Sequence, residues 1–263
     1  MIIKQIYTYN NYRNFNYLIA CPLTREAVAI DPLASDLCLK EASDNGLKII
    51  AIINTHEHMD HIGGNEKIIR NTGCKLYAHK NAKNSIPNID YGLNNGDILK
   101  FGKTLEIQVL DTPGHTMSHV CLLARGDTTN SLFCGDTLFN AGVGNCHNGG
   151  DPVSLYETFY NQLIKLEKNT KIYPGHDYLK NNLEFTLSLE SENKSAFELL
   201  KKAESQSFSI NYVSSLENEL KINTFFRLKE SSIIKSIQEK GEPMKDTSPK
   251  EVFLALRRLR NNW

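Results

Sequence analysis

The chain is 263 residues long, enough to bury a large core and more than one domain ordinarily holds, so a large domain with a smaller companion is expected. Thirty basic and thirty acidic residues cancel to a formal net charge of zero, which excludes the one-signed field of a nucleic-acid binder. No apolar run reaches the roughly 18–20 residues of a membrane span, so no bilayer partner is expected either.

In chain order, the opening Met1-Ile-Ile-Lys-Gln-Ile-Tyr7 has no charged segment leading into an apolar one, so no signal peptide is expected. Apolar runs predict strands near 2–8, 15–20 and 26–30, then a helix from about 35 to 45 closed by Gly46. Lys48-Ile-Ile-Ala-Ile-Ile-Asn54 is a β-branched run that reads as a buried strand. It leads directly into Thr55-His-Glu-His-Met-Asp-His61, which places His56, His58, Asp60 and His61 within six positions. Side chains alternate at a strand's end, so His56 and His58 point the same way. Asp60 and His61 follow the turn and approach from another side. Three imidazoles and a carboxylate make a site suited to Zn, Fe or Mn. The alternative is a solvated loop that happens to be rich in histidine.

A second helix is predicted from near Asp60 to Gly73, and shorter strands at 74–78, 104–110, 118–124 and 131–135. Three more strand-to-turn junctions carry a potential ligand: Thr112-Pro-Gly-His115-Thr116, Leu132-Phe-Cys-Gly-Asp136-Thr137 and Lys171-Ile-Tyr-Pro-Gly-His176-Asp177. Any one of these residues alone fits an ordinary turn. Together they place ligands at repeated strand ends, where open α/β architectures build sites. Asp151-Pro152 reads as the N-cap and first residue of a helix through about 167. The alternation up to that point argues α/β layering.

After His176 the pattern becomes helical, without clear strands, and a domain boundary falls near 178–180, dividing the chain into 1–178 and 179–263. Ser248-Pro249-Lys250-Glu251 opens a final helix through Trp263. Val252, Ala255, Leu256, Leu259 and Trp263 form its apolar stripe, expected to dock on the main domain. Arg257 and Arg260 neighbour one another on its surface, where spacing alone suits the helix dipole and solvent. The six cysteines, at 21, 38, 74, 121, 134 and 146, lack Cys-x-x-Cys spacing and read as small buried hydrophobes in a reducing cytosol. A cytoplasmic, monomeric protein is expected.

The run T-H-x-H-x-D-H, P-G-H-T, G-D-T-L-F and Y-P-G-H-D-Y resembles the metallo-β-lactamase superfamily, and more narrowly the hydroxyacylglutathione hydrolase (glyoxalase II) family, over nearly the whole chain. The resemblance implies an α/β fold, an αββα sandwich with a smaller C-terminal helical domain that binds substrate. It implies two divalent metal ions per chain, zinc first, with iron or manganese as alternatives. His56, His58 and His115 would hold one metal, Asp60, His61 and His176 the other, and Asp136 would bridge them. Asp60 and Asp136 are the expected catalytic carboxylates. Arg257 and Arg260 match two residues that hold the glycine carboxylate of glutathione, which suits arginine's planar fork. Tyr178 matches a tyrosine that contacts substrate. Asn223-Thr-Phe-Phe-Arg227 resembles a structural segment of the family, with Thr224 in place of proline.

The chain departs from the family after Phe139. Where a cation and an aromatic are usual, Gly142-Val-Gly-Asn145-Cys-His147-Asn-Gly149 has Asn145 and His147. Both are carried as substrate-binding candidates, and the departure bears on the thiol carrier rather than on the hydrolysis.

The implied reaction is cleavage of an S-2-hydroxyacylglutathione, such as S-D-lactoylglutathione, by a metal-bridging hydroxide, giving a 2-hydroxy acid and glutathione. The alternatives are a mononuclear iron glutathione-persulfide dioxygenase, a thioesterase for another thiol carrier, and a non-hydrolytic metal scaffold. RNA-processing nucleases share the ligand types, but the zero net charge does not favour them.

Overall fold

The computed structural model describes residues 1–263. Its first strands are β1 (Ile2–Tyr7), β2 (Phe15–Ala20) and β3 (Glu26–Ile30), followed by α1 (Ser35–Asp44) and β4 (Lys48–Ile53). Next come α2 (Met59–Ile62), α3 (Asn65–Thr72), β5 (Lys75–His79) and β6 (Tyr91–Leu93). The chain continues through β7 (Ile98–Phe101), β8 (Leu105–Asp111), β9 (Val120–Ala124) and β10 (Ser131–Gly135). A short hairpin, β11 (Leu138–Phe139) and β12 (Gly142–Val143), precedes α4 (Pro152–Asn161) and β13 (Lys171–Pro174). The remainder holds α5 (Leu179–Leu189), α6 (Lys194–Ala203), α7 (Gln206–Ser209), β14 (Ser214–Ser215), α8 (Leu216–Ile222), α9 (Ser231–Glu239) and α10 (Pro249–Asn261). No helix is long and apolar enough to cross a membrane.

The chain forms two compact units that do not follow chain order. The first comprises Met1–Thr112, Ser118–Gly135 and Tyr173–His176; the second comprises Pro113–Met117, Asp136–Ile172 and Asp177–Trp263.

In the first unit, one sheet runs β1-β2-β3-β4-β5-β6. Its β1–β3 pairs are antiparallel, and the β3–β4, β4–β5 and β5–β6 pairs are parallel. Parallel neighbours need crossovers, and α1 and then α2–α3 provide the first two. Cys38 and Ala42 of α1 and Ile68 of α3 bury against Ala27, Ile49 and Ile52. The opposite face of this sheet meets a second one, whose part in this unit runs β7-β8-β9-β10-β13. There the ring of Tyr17 lies 5.2 Å from Phe133 and 5.6 Å from Tyr173, and its hydroxyl donates to the Pro174 carbonyl at 2.6 Å. Both sheets are thus apolar on the shared face, and their strand ends are where chemistry can be placed.

In the second unit, α5, α6 and α8 bury Leu183, Ala196, Ala203 and Ile222 together with Ala141 of the hairpin turn. Helix α10 sets Phe253 against Tyr156 and Phe159 of α4 and against Phe225.

The structure departs from the sequence expectations at several elements. The helix expected from Asp60 to Gly73 is broken at Gly63-Gly64 into α2 and α3. A Cβ on Gly64 would sit 1.8 Å from the Pro32 carbonyl oxygen, so only glycine admits this backbone approach. The helix after Asp151 stops at Asn161 and continues as a 3-10 turn over Leu163–Lys165. The region expected to lack strands contains β14, which pairs with Lys171 and Ile172. The α10 stripe includes Phe253, fully buried, whereas Trp263 lies beyond the helix and is 52% exposed.

Candidate metal centre and substrate site

The apolar residues of β3 and β4 run side by side and deliver polar residues at adjacent ends. Asp31 follows β3 with a φ of 48° and is buried. Its Oδ1 accepts the Thr55 N–H at 2.8 Å, and its Oδ2 accepts the Thr55 hydroxyl at 2.6 Å and lies 2.9 Å from His61 Nδ1. An ionised carboxylate only accepts, so His61 carries its proton on Nδ1 and turns the Nε2 lone pair inward. The turn at α2 brings Asp60 and His61 back beside the strand end.

His176 is fixed in the same way from another strand. It follows β13, makes an antiparallel bridge with Asn14, and donates from Nδ1 to the Tyr12 carbonyl at 2.7 Å. Its Nε2 then faces His61 Nε2 at 3.3 Å. Asp60 Oδ2 lies 3.4 Å from His176 Nε2 and 3.7 Å from His61 Nε2. Asn14 donates from its amide to Asp60 Oδ2 at 3.1 Å. His56 and His58 form a second pair, with Nε2 of the former 3.1 Å from Nδ1 of the latter. The Thr55 hydroxyl contacts His56 Nδ1 at 3.0 Å.

These spacings test whether the residues fit a metal. Ligand atoms about 2.0–2.1 Å from a tetrahedral zinc lie roughly 3.3 Å from one another. The 3.1–3.7 Å separations match that geometry. The donor set is imidazole and carboxylate, with second hydrogen bonds orienting His61 and His176, as metal-ligating histidines commonly show. It fits.

In the second unit, His115 donates from Nδ1 to the Asn145 carbonyl at 2.6 Å and places Nε2 3.5 Å from Asp136 Oδ2. Tyr178 packs edge-on against Phe139, with centroids 5.2 Å apart. Arg260 donates to Asn182 Oδ1 at 3.2 Å. Arg257 is 4% exposed and makes a denser set of bonds. Its Nη1 donates to the carbonyls of Val143 and Gly144 at 3.2 and 3.0 Å, and its Nε and Nη2 donate to Asn261. Burial lowers its pKa to about 10. Asn145 and His147 are exposed, and His147 lines a cavity of about 350 Å³ with Cys146, Arg257 and Arg258.

Residues 21–176 match the metallo-β-lactamase superfamily, and residues 177–263 match the hydroxyacylglutathione hydrolase C-terminus. Over the full length of both chains, the protein is 55% identical to the hydroxyacylglutathione hydrolase of Nitrosococcus oceani and 49% identical to that of a Polaromonas species. The chain belongs to the hydroxyacylglutathione hydrolase family. The crystal structure of ETHE1 from Myxococcus xanthus is similar with a TM-score of 0.68 at 27% identity, covering 99% of this chain and 98% of that one. The expected fold class therefore holds: a metallo-β-lactamase fold with a C-terminal helical part.

Three residues around the histidines are not among those to which the sequence points. Asp31, Asn14 and the Tyr12 carbonyl orient His61, Asp60 and His176. The only sequence signal for Asp31 is a carboxylate ending an apolar strand before Pro32, where a buried charge demands partners. A backbone carbonyl such as that of Tyr12 leaves no sequence signal.

Proposed function

We propose that the protein hydrolyses S-2-hydroxyacylglutathione thioesters, S-D-lactoylglutathione foremost, to a 2-hydroxy acid and glutathione. The observation that carries this reading is the ligand-like spacing of His61, His176 and Asp60. In it, His56, His58 and His115 would hold one divalent ion, Asp60, His61 and His176 would hold a second, and Asp136 would contribute its carboxylate to both. Zinc is our first assignment because the donors are imidazole and carboxylate. When bound, the metal pair supplies a water-derived nucleophile at neutral pH and polarises the thioester carbonyl.

The chain's own residues hold this arrangement and bind the rest of the substrate. Asp31 and the Tyr12 carbonyl fix which nitrogens of His61 and His176 are presented. Asp60, only partly buried, is the carboxylate we assign to moving a proton during product release. The leaving thiolate has a conjugate acid of pKa about 8.5 and departs with little protonation, so no general acid is assigned. Tyr178 and Arg260 are assigned to the glutathione moiety, with Asn145 and His147 beside them. Arg257 is assigned there too, with the hydrogen bonds to Val143 and Gly144 as its second task. We place the catalytic domain at 1–178 and the substrate-binding domain at 179–263, in a cytoplasmic monomer. The cytoplasmic assignment rests on six cysteines that no disulfide links, five of them buried.

The complete Asp60, His61 and His176 set disfavours a one-iron persulfide dioxygenase. A second thiol carrier is the reading favoured by Asn145, which offers an amide where a cation would pair with a carboxylate. The two thioesterase readings separate by comparing kcat/KM for S-D-lactoylglutathione with that for a lactoyl thioester of N-acetylcysteamine. Glutathione recognition predicts a preference of tenfold or more for the first. Equal values would leave the glutathione reading without support.

A further inference from the structure

The hairpin that follows Asp136 is held chiefly by side chains from the helices that come after it. The Asn140 carbonyl accepts from Asn182 Nδ2 at 3.0 Å, and the Gly142 carbonyl accepts from Asn223 Nδ2 at 3.1 Å. The Ala141 N–H donates to Glu219 Oε2 at 2.8 Å. The Val143 and Gly144 carbonyls accept from Arg257, as described above. Five consecutive residues thus each have a backbone group bonded to a buried side chain from α5, α8, α10 or the residue after α8. The approach is close: a Cβ on Gly142 would lie 2.5 Å from the Asn182 amide carbon. Ala141 is held at a φ of 59°, a conformation that local preference does not supply.

This hairpin stands between one residue of the proposed metal centre and the residue that orients another. Asp136 lies two positions before β11, and Asn145, whose carbonyl holds His115 Nδ1, lies two positions after β12. Displacing the turn therefore moves Asp136 and the support of His115 together. Glu219 occupies the middle of the clamp and is fully buried; its Oε2 also accepts from Asn223 at 3.1 Å. Burial raises its carboxyl group to about 7. A leucine would fill the same space without desolvating a carboxyl group, but it could not accept from Ala141.

We propose that Glu219 is a positioning residue for the metal centre, acting through the Ala141 peptide to set the separation of Asp136 and His115. This inference rests on the metal-dependent hydrolase reading. It assigns the helical region a task besides substrate binding: without its straps, the Asp136–Asn145 segment keeps only its own hairpin hydrogen bonds, such as Gly144 N–H to the Thr137 carbonyl.

The test compares Glu219→Leu, Glu219→Gln and the unaltered protein in three measurements: competition for zinc against a chromogenic chelator, kcat and KM, and thermal unfolding. Loss of the strap predicts about tenfold weaker zinc binding and about tenfold lower kcat in Glu219→Leu, with KM changed less than threefold, in line with losses seen when ligand-orienting residues are removed. Glu219→Gln retains an oxygen acceptor and is expected to restore both to within twofold. A Glu219→Leu protein that unfolds at lower temperature yet binds zinc and turns over normally would make the residue merely structural and overturn the proposal. A Glu219→Gln protein as impaired as Glu219→Leu would overturn it as well. If Glu219→Leu does not fold, Asn182→Leu releases the neighbouring Asn140 carbonyl and must show the same loss of zinc affinity for the clamp to stand. Chelator competition needs no substrate, so it decides this inference even if the unaltered protein fails to cleave the thioester.

Discussion

His61 and His176 point Nε2 at Nε2 across 3.3 Å, while the Nδ1 of each is committed elsewhere, to Asp31 and to the Tyr12 carbonyl. Two imidazole lone pairs repel at that distance unless a proton or a metal ion lies between them. The fold therefore holds the pair at a spacing that a metal ion can bridge.

Metal should accordingly act as a folding ligand. Protein stripped with a chelator is expected to unfold at lower temperature and to recover on adding zinc. At a thousandfold excess over Kd, one bound ion contributes about 4 kcal/mol. Scanning calorimetry with and without metal checks this. His176→Ala should show a markedly smaller recovery, whereas equal recoveries would remove His176 from the ligand set.

Asp31→Asn changes one atom and reverses the local logic. The two oxygens of Asp31 receive three contacts, from the Thr55 N–H, the Thr55 hydroxyl and His61 Nδ1. An amide must turn an N–H toward a donor on one side. Metal affinity is expected to fall about 10–100-fold, the range typical of lost ligand-orienting bonds. Equilibrium dialysis against zinc reads the effect, and an unchanged affinity would contradict the orienting role.

Arg257 and Arg260 should separate experimentally. Removing Arg257 leaves the Val143 and Gly144 carbonyls without their donor, and hydrogen bonds to charged groups are worth about 1.5–3 kcal/mol each. Arg257→Ala is expected to lose about 3 kcal/mol of stability as well as raising KM. Arg260, only half-buried, should raise KM with a stability change below about 1 kcal/mol. Urea unfolding and steady-state kinetics on the same preparations give both numbers. A stable Arg257→Ala protein with only a raised KM would reduce Arg257 to a substrate contact.

Glu219 predicts a specific pH dependence of stability. Its folded-state carboxyl is raised by burial to about 7 from an ordinary value of 4.5, so between those pH values the folded protein binds more protons than the unfolded chain. Stability from this group is present below about pH 4.5 and is lost as pH rises through about 7, by about 3 kcal/mol in total. Glu219→Gln lacks the titration, so its stability relative to the parent should improve from pH 5 to pH 8. Parallel thermal melts across that range measure the difference, and a constant offset would contradict the buried-carboxyl assignment.

What the sequence made legible follows physical range. The histidines were readable because strand periodicity and short turns place His56, His58, Asp60 and His61 locally, and the second unit's His115 and Asp136 stand at comparable strand ends. The final helix was readable from its cap, and Ser248 does accept from the Glu251 N–H at 3.5 Å. Contacts between distant residues were not readable: Asp31 reaches His61 over 30 positions, and Asn14 reaches Asp60 over 46. The clamp on the 140–144 turn was equally hidden, because it joins residues 42 to 114 positions apart. Helical periodicity also ran through Gly63-Gly64, where a tertiary approach of the Pro32 carbonyl, rather than propensity, divides the helix.

The most direct test of the central claim is reconstitution of metal-free protein with increasing zinc while following loss of the S-D-lactoylglutathione thioester. A dinuclear hydrolase predicts no turnover without metal and a plateau at about two ions per chain. Full turnover in the metal-free protein, or none with both ions bound, would contradict it.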